Sequence, residues 1–232
     1  MVDRIIGILG GMGPEATADL YLRIIKLTPA KKDQDHIRII IYSNPKIPDR
    51  TTAILGTGPT PLPEMITTGK TLEQSGADFI IMPCNTAHHY HSALQATLHI
   101  PVLNMIQLAA KKMKHSNPLI RTAGLLATDG TVFSRLYDEA FKNQGIQMVL
   151  PDLMEQAEVM KAIYFYIKKG DLERGGVILH RVAETLIGRG VEAIVCGCTE
   201  VSLVLKDGGF SVPILDPLQV LAEEAVQYAM ED

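Results

Sequence analysis

Two segments half a chain apart repeat one pattern, and this repeat constrains the fold of the 232-residue sequence more than any other feature. The segment LEQSGADFIIMPCNT aligns without gaps on LIGRGVEAIVCGCTE. In each segment a glycine lies eight positions before a cysteine, Gly76 before Cys84 and Gly190 before Cys198. Further along, IPVLNMIQ is mirrored by VPILDPLQ. A repeat of this period predicts two related structural units, each with a cysteine in the same place.

Short apolar runs alternate with helical patterns through both halves of the chain. The predicted strands are RIIGILG, HIRIIIYSN, ADFIIMP and PVLNM in the first half, and TAGLLAT, IQMVLP, VEAIVCG and SVPILDP in the second. Strands that alternate with helices favour parallel sheets. We therefore predict an α/β fold of two pseudo-symmetric halves, each with a mainly parallel sheet flanked by helices. The active site is expected in the cleft between the halves.

The boundary between the halves is predicted near Gln107 to Pro118. The final amphipathic helix, LQVLAEEAVQYAM, is expected to pack back onto the first half. The predicted domains are an N-terminal domain of residues 1–107 plus 217–232 and a C-terminal domain of residues 108–216. A stretch rich in proline, glycine and threonine, residues 45–63, is predicted to be mostly loop. Loops of that length within a domain are often functional.

Composition and charge exclude several classes of protein. A net charge of -4 gives no basic footprint for nucleic acid. Apolar runs fall short of the ~20 residues that cross a bilayer, and the first residues reach glycine too early for a signal peptide. Three cysteines do not make a disulfide framework. We expect free thiols, a reducing cytoplasmic compartment and a small-molecule partner, with neither nucleic acid nor membrane.

The paired cysteines are predicted to lie at the carboxyl ends of strands, where ligands bind in open α/β sheets. The residues after each cysteine are predicted to open a helix, and helix N-termini lower a thiol pKa from its usual ~8.5. Two such thiols suit the removal of a proton from one face of a carbon and its return from the other. Cys196 falls inside an apolar strand, so its predicted role is packing.

The motifs MPCNTAH and GCTE, together with GGMGPEAT near the start, resemble the cofactor-independent aspartate/glutamate racemase family over essentially the whole chain. The resemblance implies that Cys84 and Cys198 are the acid/base residues and that neither pyridoxal phosphate nor any other cofactor is used. It also implies a homodimer and an acidic amino acid as substrate, aspartate in preference to glutamate. Two further family positions match Arg50 in IPDRT and Lys168, preferred to Lys169, in YIKKG.

Substrate recognition requires donors aimed at the charge that develops when the α-proton leaves. Arg50 and Lys168 are candidates for binding a second carboxylate or for lowering the thiol pKa, and His88 closes the motif and is a candidate for orienting Cys84. Thr131 is a further, weaker candidate. The predicted substrate-binding residues are Met12, Arg50, Asn85, Thr86, the Ala87 backbone, Thr128, Lys168 and Thr199.

Two other site types fit the residues poorly. GMGPEA matches G-x-G-x-x-A, but a dinucleotide site needs an acidic residue at the end of the second strand. Asp33 and Asp35 precede that strand, which ends in Ser43 and Asn44. A metal site would draw its ligands from the histidines and cysteines, which lack pair-plus-pair spacing. They are His88, His89, His91, Cys196 and Cys198.

Two classes of function stay open beside the racemase. Hydantoin racemases, maleate isomerases and arylmalonate decarboxylases share the layout within the wider superfamily. A non-catalytic amino acid-binding protein would retain ligand affinity after both cysteines became serine, and it would exchange no α-proton.

Overall fold

The computed structural model describes residues 4–231, and their contacts divide the chain into two compact units. One unit extends to Met105 and resumes at Leu218, and the other is Ile106–Pro217. The first unit is therefore built from both ends of the chain, with the second inserted in its sequence. None of the helices within residues 4–231 is both long and apolar enough to span a membrane.

The elements follow one another in a regular alternation. In chain order they are β1 (Ile6–Gly10), α1 (Pro14–Leu27), β2 (Ile39–Ser43), α2 (Arg50–Ile54), α3 (Leu62–Gln74), β3 (Phe79–Ile81), α4 (His91–Gln95), α5 (Met105–Ser116), β4 (Thr122–Leu126), α6 (Asp129–Ser134), α7 (Leu136–Lys142), β5 (Gln147–Val149), α8 (Leu153–Lys161), α9 (Leu172–Gly188), β6 (Ile194–Cys196), α10 (Thr199–Val204), β7 (Ile214–Leu215) and α11 (Pro217–Met230). Short 3₁₀ turns lie at Asp33–Asp35, Thr86–Tyr90 and Ile167–Lys169, and a π-helix at Ala162–Tyr166.

The first unit contains a parallel sheet with strand order β2-β1-β3. PVLNM, predicted as a further strand, forms only a single parallel bridge, between Ile80 and Val102. The Ile80 N–H donates to Pro101 O at 2.8 Å, and the Leu103 N–H donates to Ile80 O at 2.9 Å. Pro101 has no N–H for the ladder and the chain enters α5 at Met105, so pairing stops after one bridge.

The second unit contains a four-stranded parallel sheet with strand order β5-β4-β6-β7. Helices flank both sheets, so the predicted α/β class with two mainly parallel sheets is confirmed. The strands that precede the two paired cysteines, β3 and β6, both pair in parallel with the first strand of their unit.

The sequence repeat is visible in the way that each of these strands begins. Gly76 and Gly190 both have left-handed backbones, with φ of +95° and +88°, which favour glycine. Two positions later an acidic side chain accepts from the backbone of the neighbouring strand. The carboxylate of Asp78 accepts from the Ile5 N–H at 2.6 Å, and that of Glu192 accepts from the Arg121 N–H at the same distance. The repeat thus contains the same local structure in both halves, a glycine turn followed by a carboxylate that accepts from a backbone N–H at the start of a strand.

Residues 45–63 are mostly loop, as predicted, although the short helix α2 forms within them and α3 begins at Leu62. Asp49 caps α2 by accepting from the Thr52 N–H at 2.9 Å. Helix α5 begins at Met105, where the first unit of the chain stops. Helix α8 ends at Lys161, and the chain continues as the π-helix and the 3₁₀ turn, a type of distortion frequent at functional sites.

The final helix, α11, packs on the first unit. The Tyr228 ring meets Phe79 edge-on, with centroids 4.8 Å apart, and the Arg4 guanidinium lies 4.5 Å from the centroid of the same ring. Arg23 donates to the Gln219 side chain at 3.3 Å. The apolar face of the helix, which includes Leu221, is buried.

Candidate active site

Cys84 lies just beyond the carboxyl end of β3, and its side chain is 5% exposed. Its N–H donates to Met82 O at 2.9 Å, which turns the chain directly after the strand. A 3₁₀ turn, Thr86–Tyr90, follows where an α-helix was predicted, and α4 begins only at His91. Cys84 packs in one apolar cluster with Met12, Ile47 and Ala87.

His88 fixes the backbone of Cys84 and does so as a neutral imidazole. Its Nδ1 lies 2.8 Å from Cys84 O, and its Nε2 lies 3.2 Å from the Met105 N. A carbonyl only accepts and an amide N–H only donates, so the proton sits on Nδ1. Burial is the main cause that lowers the pKa of His88 from 6.5 to about 4, with a smaller contribution from His91. His88 therefore orients Cys84 through its carbonyl, with both ring nitrogens engaged.

This burial predicts a specific pH dependence of stability. Between pH 6.5 and about 4, His88 binds a proton in the unfolded chain but stays neutral in the folded one. The free energy of unfolding therefore falls as pH falls through this window. The shift corresponds to about 3 kcal/mol of unfolding free energy. Urea unfolding at pH 7 and pH 4.5 should show a larger loss in the native chain than in His88→Gln, whose amide can also donate and accept. Equal losses in both proteins would contradict the assignment.

Arg50 begins α2, and its guanidinium holds the neighbouring loops together. It donates to Pro48 O at 2.9 Å and to Ile47 O and Met12 O, each at 3.3 Å. Arg50 is buried, and its charge opposes the rise in the pKa of Tyr90 that burial causes. The structure therefore brings Arg50 and Met12 to the cluster that contains Cys84. It also shows that Arg50 is the first residue of a short helix within the predicted loop.

Cys198 lies between β6 and α10, two positions after the strand ends, and its side chain is 6% exposed. Its Sγ donates to Glu200 Oε2 at 2.8 Å, and the Thr199 hydroxyl donates to the same oxygen at 3.1 Å. The other oxygen of Glu200 pairs with Lys168 Nζ at 3.3 Å. Lys168 also lies over the Tyr164 ring, 4.8 Å from its centroid. Thiol, carboxylate and ammonium thus form one chain of contacts.

The electrostatics at Cys198 oppose the expectation that a helix start lowers its pKa. Burial raises the pKa of the Cys198 thiol well above its ordinary value, and the charge of Glu200 raises it further. Lys168 acts in the opposite direction but does not outweigh them. For Glu200, burial would raise the pKa, yet Lys168 and the bond from Cys198 lower it overall. The helix α10 has only six residues, and a full charge in contact outweighs its dipole.

The other predicted binding residues are buried at the corresponding ends of strands. Thr128 lies two positions after the end of β4, the neighbour of β6, and its hydroxyl caps α6 by accepting from the Thr131 N–H at 3.4 Å. Cys196 is fully buried in β6, in line with a packing role. The remaining predicted residues, each at most 6% exposed, are Asn85, Thr86, Ala87 and Thr199.

The residues considered for a dinucleotide site or a metal site do not lie where such sites require them. Asp33 and Asp35 form a 3₁₀ turn before β2, at its amino end, so no acidic side chain of that pair reaches the edge where a dinucleotide ribose would bind. The Asn44 side chain that follows β2 donates to Thr68 Oγ1 at 3.0 Å. Within residues 4–231, no three His, Cys, Asp or Glu side chains come together as metal ligands would.

Glu200 is the residue that the sequence analysis missed. It closes the GCTE motif, and its position two residues after Cys198 was the available signal. An acidic residue so close to a candidate acid/base thiol, at the start of a short helix, is placed to contact the sulfur. No pattern in the sequence connected it to Lys168, because that pairing is tertiary.

Comparison with known proteins points to one family. A sequence model described as Asp/Glu/hydantoin racemase matches residues 9–225. The broad specificity amino-acid racemase RacX of Bacillus subtilis is 30% identical over 229 residues, covering 95% of this chain and 96% of its own. The structure of Picrophilus torridus aspartate racemase superposes with a TM-score of 0.86 at 32% identity, covering 97% of this chain and 94% of the other. The structure of an aspartate racemase homologue from Pyrococcus horikoshii superposes with a TM-score of 0.80 at 26% identity, covering 99% of this chain and 100% of the other.

Proposed function

Because the chain belongs to the Asp/Glu/hydantoin racemase family, and is thus an amino-acid racemase of the isomerase class, we propose that it racemises an acidic amino acid. Aspartate is the preferred substrate and glutamate the second. Cys84 and Cys198 are the acid/base residues. The observation that carries this proposal is the equivalent placement of two buried thiols, each just beyond the carboxyl end of a parallel strand that pairs with the first strand of its unit.

The proposed chemistry is proton transfer at one carbon. One cysteine, as thiolate, takes the α-proton, and the electron pair stays on the substrate as a carbanion that spreads into the carboxylate. The other cysteine, as thiol, returns a proton from the opposite face, which inverts the configuration. For the reverse enantiomer the two roles exchange. Each proton moves between sulfur and the substrate, and the thiols exchange their protons with solvent between turnovers, so the cycle requires no cofactor.

The rate at which such a carbanion forms depends on how well the site stabilises its negative charge. Preorganised donors aimed at the developing charge are the largest source of rate enhancement in reactions of this kind. We assign the α-carboxylate to Asn85, Thr86, the Ala87 backbone and Thr199. Thr128 and Met12 complete the list of residues that contact the substrate.

The preference for an acidic substrate rests on two cations. Arg50 is buried beside the apolar cluster that contains Cys84. The carboxylate of Glu200 lies between Lys168 and Cys198 and contacts both. A carboxylate is a favourable partner for a buried cation such as Arg50, which fits the β- or γ-carboxylate of aspartate or glutamate. The 32% identity with an aspartate racemase supports aspartate. The relative with broad specificity, similar over 95% of this chain, supports a wider substrate range as the second candidate.

The resemblance to the family also supports a homodimer in the cytoplasm. The apolar side chains that the first unit leaves exposed on α1 and the edge strand β2 are compatible with contact to a second copy. They are Tyr21, Leu22, Ile41 and Tyr42. Light scattering of the purified protein should give twice the chain mass, and a single-chain mass would remove the dimer from the proposal.

The proposed activity predicts loss of the α-proton in deuterated water. Proton NMR of L-aspartate and L-glutamate with the reduced protein and no added cofactor should show the α-proton signal decaying while the D-enantiomer forms. We expect faster decay with aspartate, because its side chain is the preferred ligand. Alanine, lysine and arginine serve as a panel for broad specificity. Loss of the α-proton from alanine, lysine or arginine, with none from aspartate or glutamate, would contradict an acidic substrate and favour the wider substrate range.

A further inference from the structure

The two paired cysteines sit in unequal surroundings. The sulfur of Cys198 lies 2.8 Å from a carboxylate oxygen of Glu200, which Lys168 holds from the other side at 3.3 Å. Cys84 is bound only through its backbone, by Met82 and His88, and in the part of the chain from 4 to 231 no carboxylate hydrogen-bonds to its sulfur. Exposure does not distinguish the two thiols, since the values are 5% and 6%. Their difference is electrostatic.

We propose that Glu200 keeps the exchangeable proton on Cys198 in the substrate-free enzyme, with Lys168 holding Glu200 in place, and that Cys84 is therefore the thiol that takes the first α-proton. The statement about Glu200 stands on the contacts of the second unit alone. The statement about Cys84 rests on the proposed function. Glu200 acts through Cys198 and is a positioning residue.

The chemistry of the two groups explains where the proton stays. A free thiol ionises near pH ~8.5 and a free glutamate near ~4.3, so a proton shared by a thiol and a carboxylate resides on sulfur. Losing it would place two negative charges 2.8 Å apart in a buried site. Burial raises the pKa of Cys198 most, and the charge of Glu200 raises it further. The S–H bond therefore persists until a nearby carbanion accepts the proton.

Lys168 sets how strongly Glu200 acts. Its ammonium neutralises part of the Glu200 charge and directly favours a Cys198 thiolate. During turnover the proton leaves Cys198 for the carbanion, and Lys168 compensates the thiolate left behind. That state is short-lived beside Glu200, because Cys198 takes a proton from solvent while Cys84 releases to solvent the proton that it took from the substrate. The pair thus makes Cys198 a proton donor that resets itself.

The remaining titratable groups near Cys198 do not substitute for Glu200. Tyr137 of α7 faces Cys196, Cys198 and Asp216. Burial raises the pKa of Tyr137 well above its ordinary value, so its hydroxyl is neutral through the pH range of the test. Asp216 accepts from the Ser202 hydroxyl at 2.7 Å. Glu200 is the carboxylate in contact with the sulfur.

Alkylation by iodoacetamide tests the proposal, because only thiolates react at an appreciable rate. Peptide mapping of the full-length protein without substrate gives separate rates for Cys84 and Cys198, with fully buried Cys196 as an internal reference. At pH 7.5 we expect Cys84 to react first. In Glu200→Gln, Cys198 should react about tenfold faster and its pH midpoint should fall, as expected for a change of roughly one pKa unit.

Lys168→Met should change the alkylation rate of Cys198 in the opposite direction from Glu200→Gln. Without the ammonium, the Cys198 thiolate loses the compensating charge of Lys168, so alkylation of Cys198 should slow and its pH midpoint should rise. A merely structural role for the pair would loosen the site and speed alkylation in both variants. Glu184→Gln, which removes an exposed charge from α9, is the matched control and should leave both thiols at native rates.

Two results would overturn the proposal: faster alkylation of Cys198 than Cys84 in the native protein, or changes of the same sign in Glu200→Gln and Lys168→Met. The alkylation rates require no turnover. If α-proton exchange were absent with every substrate tested, the proposed function and the role of Cys84 would fall. The order of alkylation would still decide whether Glu200 holds the proton on Cys198.

Discussion

Replacing either Cys84 or Cys198 by serine should lower racemisation roughly 10²–10⁴-fold, the range that a positioned acid/base group contributes. Serine has the same shape, but its hydroxyl does not ionise near neutral pH, so it can neither remove an α-proton nor return one at a useful rate. The measurement is the rate of D-aspartate formation from L-aspartate by chiral chromatography. Far-UV circular dichroism and thermal unfolding establish that each variant is folded.

Cys196→Ala is the matched control for these variants. It removes the third thiol, which is fully buried in β6 two positions from Cys198. Its predicted role is packing, so the variant should lose some stability and retain racemase activity. Native activity in either serine variant would contradict the two-thiol mechanism, and so would an equal loss of activity in Cys196→Ala.

Gly11→Ala should destabilise the first unit by about 2–5 kcal/mol. The backbone of Gly11 has φ of +93°, which costs an L-residue about 1–2 kcal/mol. A Cβ there would also overlap the Asn44 carbonyl carbon, which is backbone and cannot rotate away. Forced overpacking of this kind costs about 1–3 kcal/mol more. Thermal unfolding should show a midpoint lower by about 4–20 °C, at roughly 2–4 °C per kcal/mol in a protein of this size.

Gly76→Ala separates the two causes. Gly76 has nearly the same backbone angle, φ +95°, but a Cβ there would meet nothing within 4 Å. It should therefore pay only the cost of the left-handed backbone, about 1–2 kcal/mol. If both variants unfolded at the same temperature, contact with Asn44 would not explain the glycine of the first loop.

The fold and the pair of thiols could be predicted from the sequence because both are expressed in local patterns. Strands of a buried parallel sheet are short apolar runs, and the repeat places Cys84 and Cys198 after equivalent runs. The glycines before them, Gly76 and Gly190, have left-handed backbones that favour glycine over other residues. A feature that recurs at the same position in both halves can be recognised without knowing what lies beside it in space.

What the sequence could not provide are contacts between distant positions and the balance of opposing effects. Glu200 and Lys168 meet only through the fold. The expectation that a helix start lowers the pKa of Cys198 considered one effect, whereas burial and a carboxylate at 2.8 Å act against it. The missing strand at PVLNM is a similar case, since apolar β-prone residues were present but too few before α5 to extend the ladder.

Helix α11 has a consequence for synthesis on the ribosome. It closes the first unit, where Tyr228 contacts Phe79 and the Arg4 N–H donates to Ala229 O at 3.2 Å. The nascent chain therefore exposes part of the β2-β1-β3 sheet until α11 emerges, while the residues between Ile106 and Pro217 have all of their own sheet available earlier. The unit whose synthesis begins first is completed after the second unit, and its apolar face must be protected from aggregation during that interval.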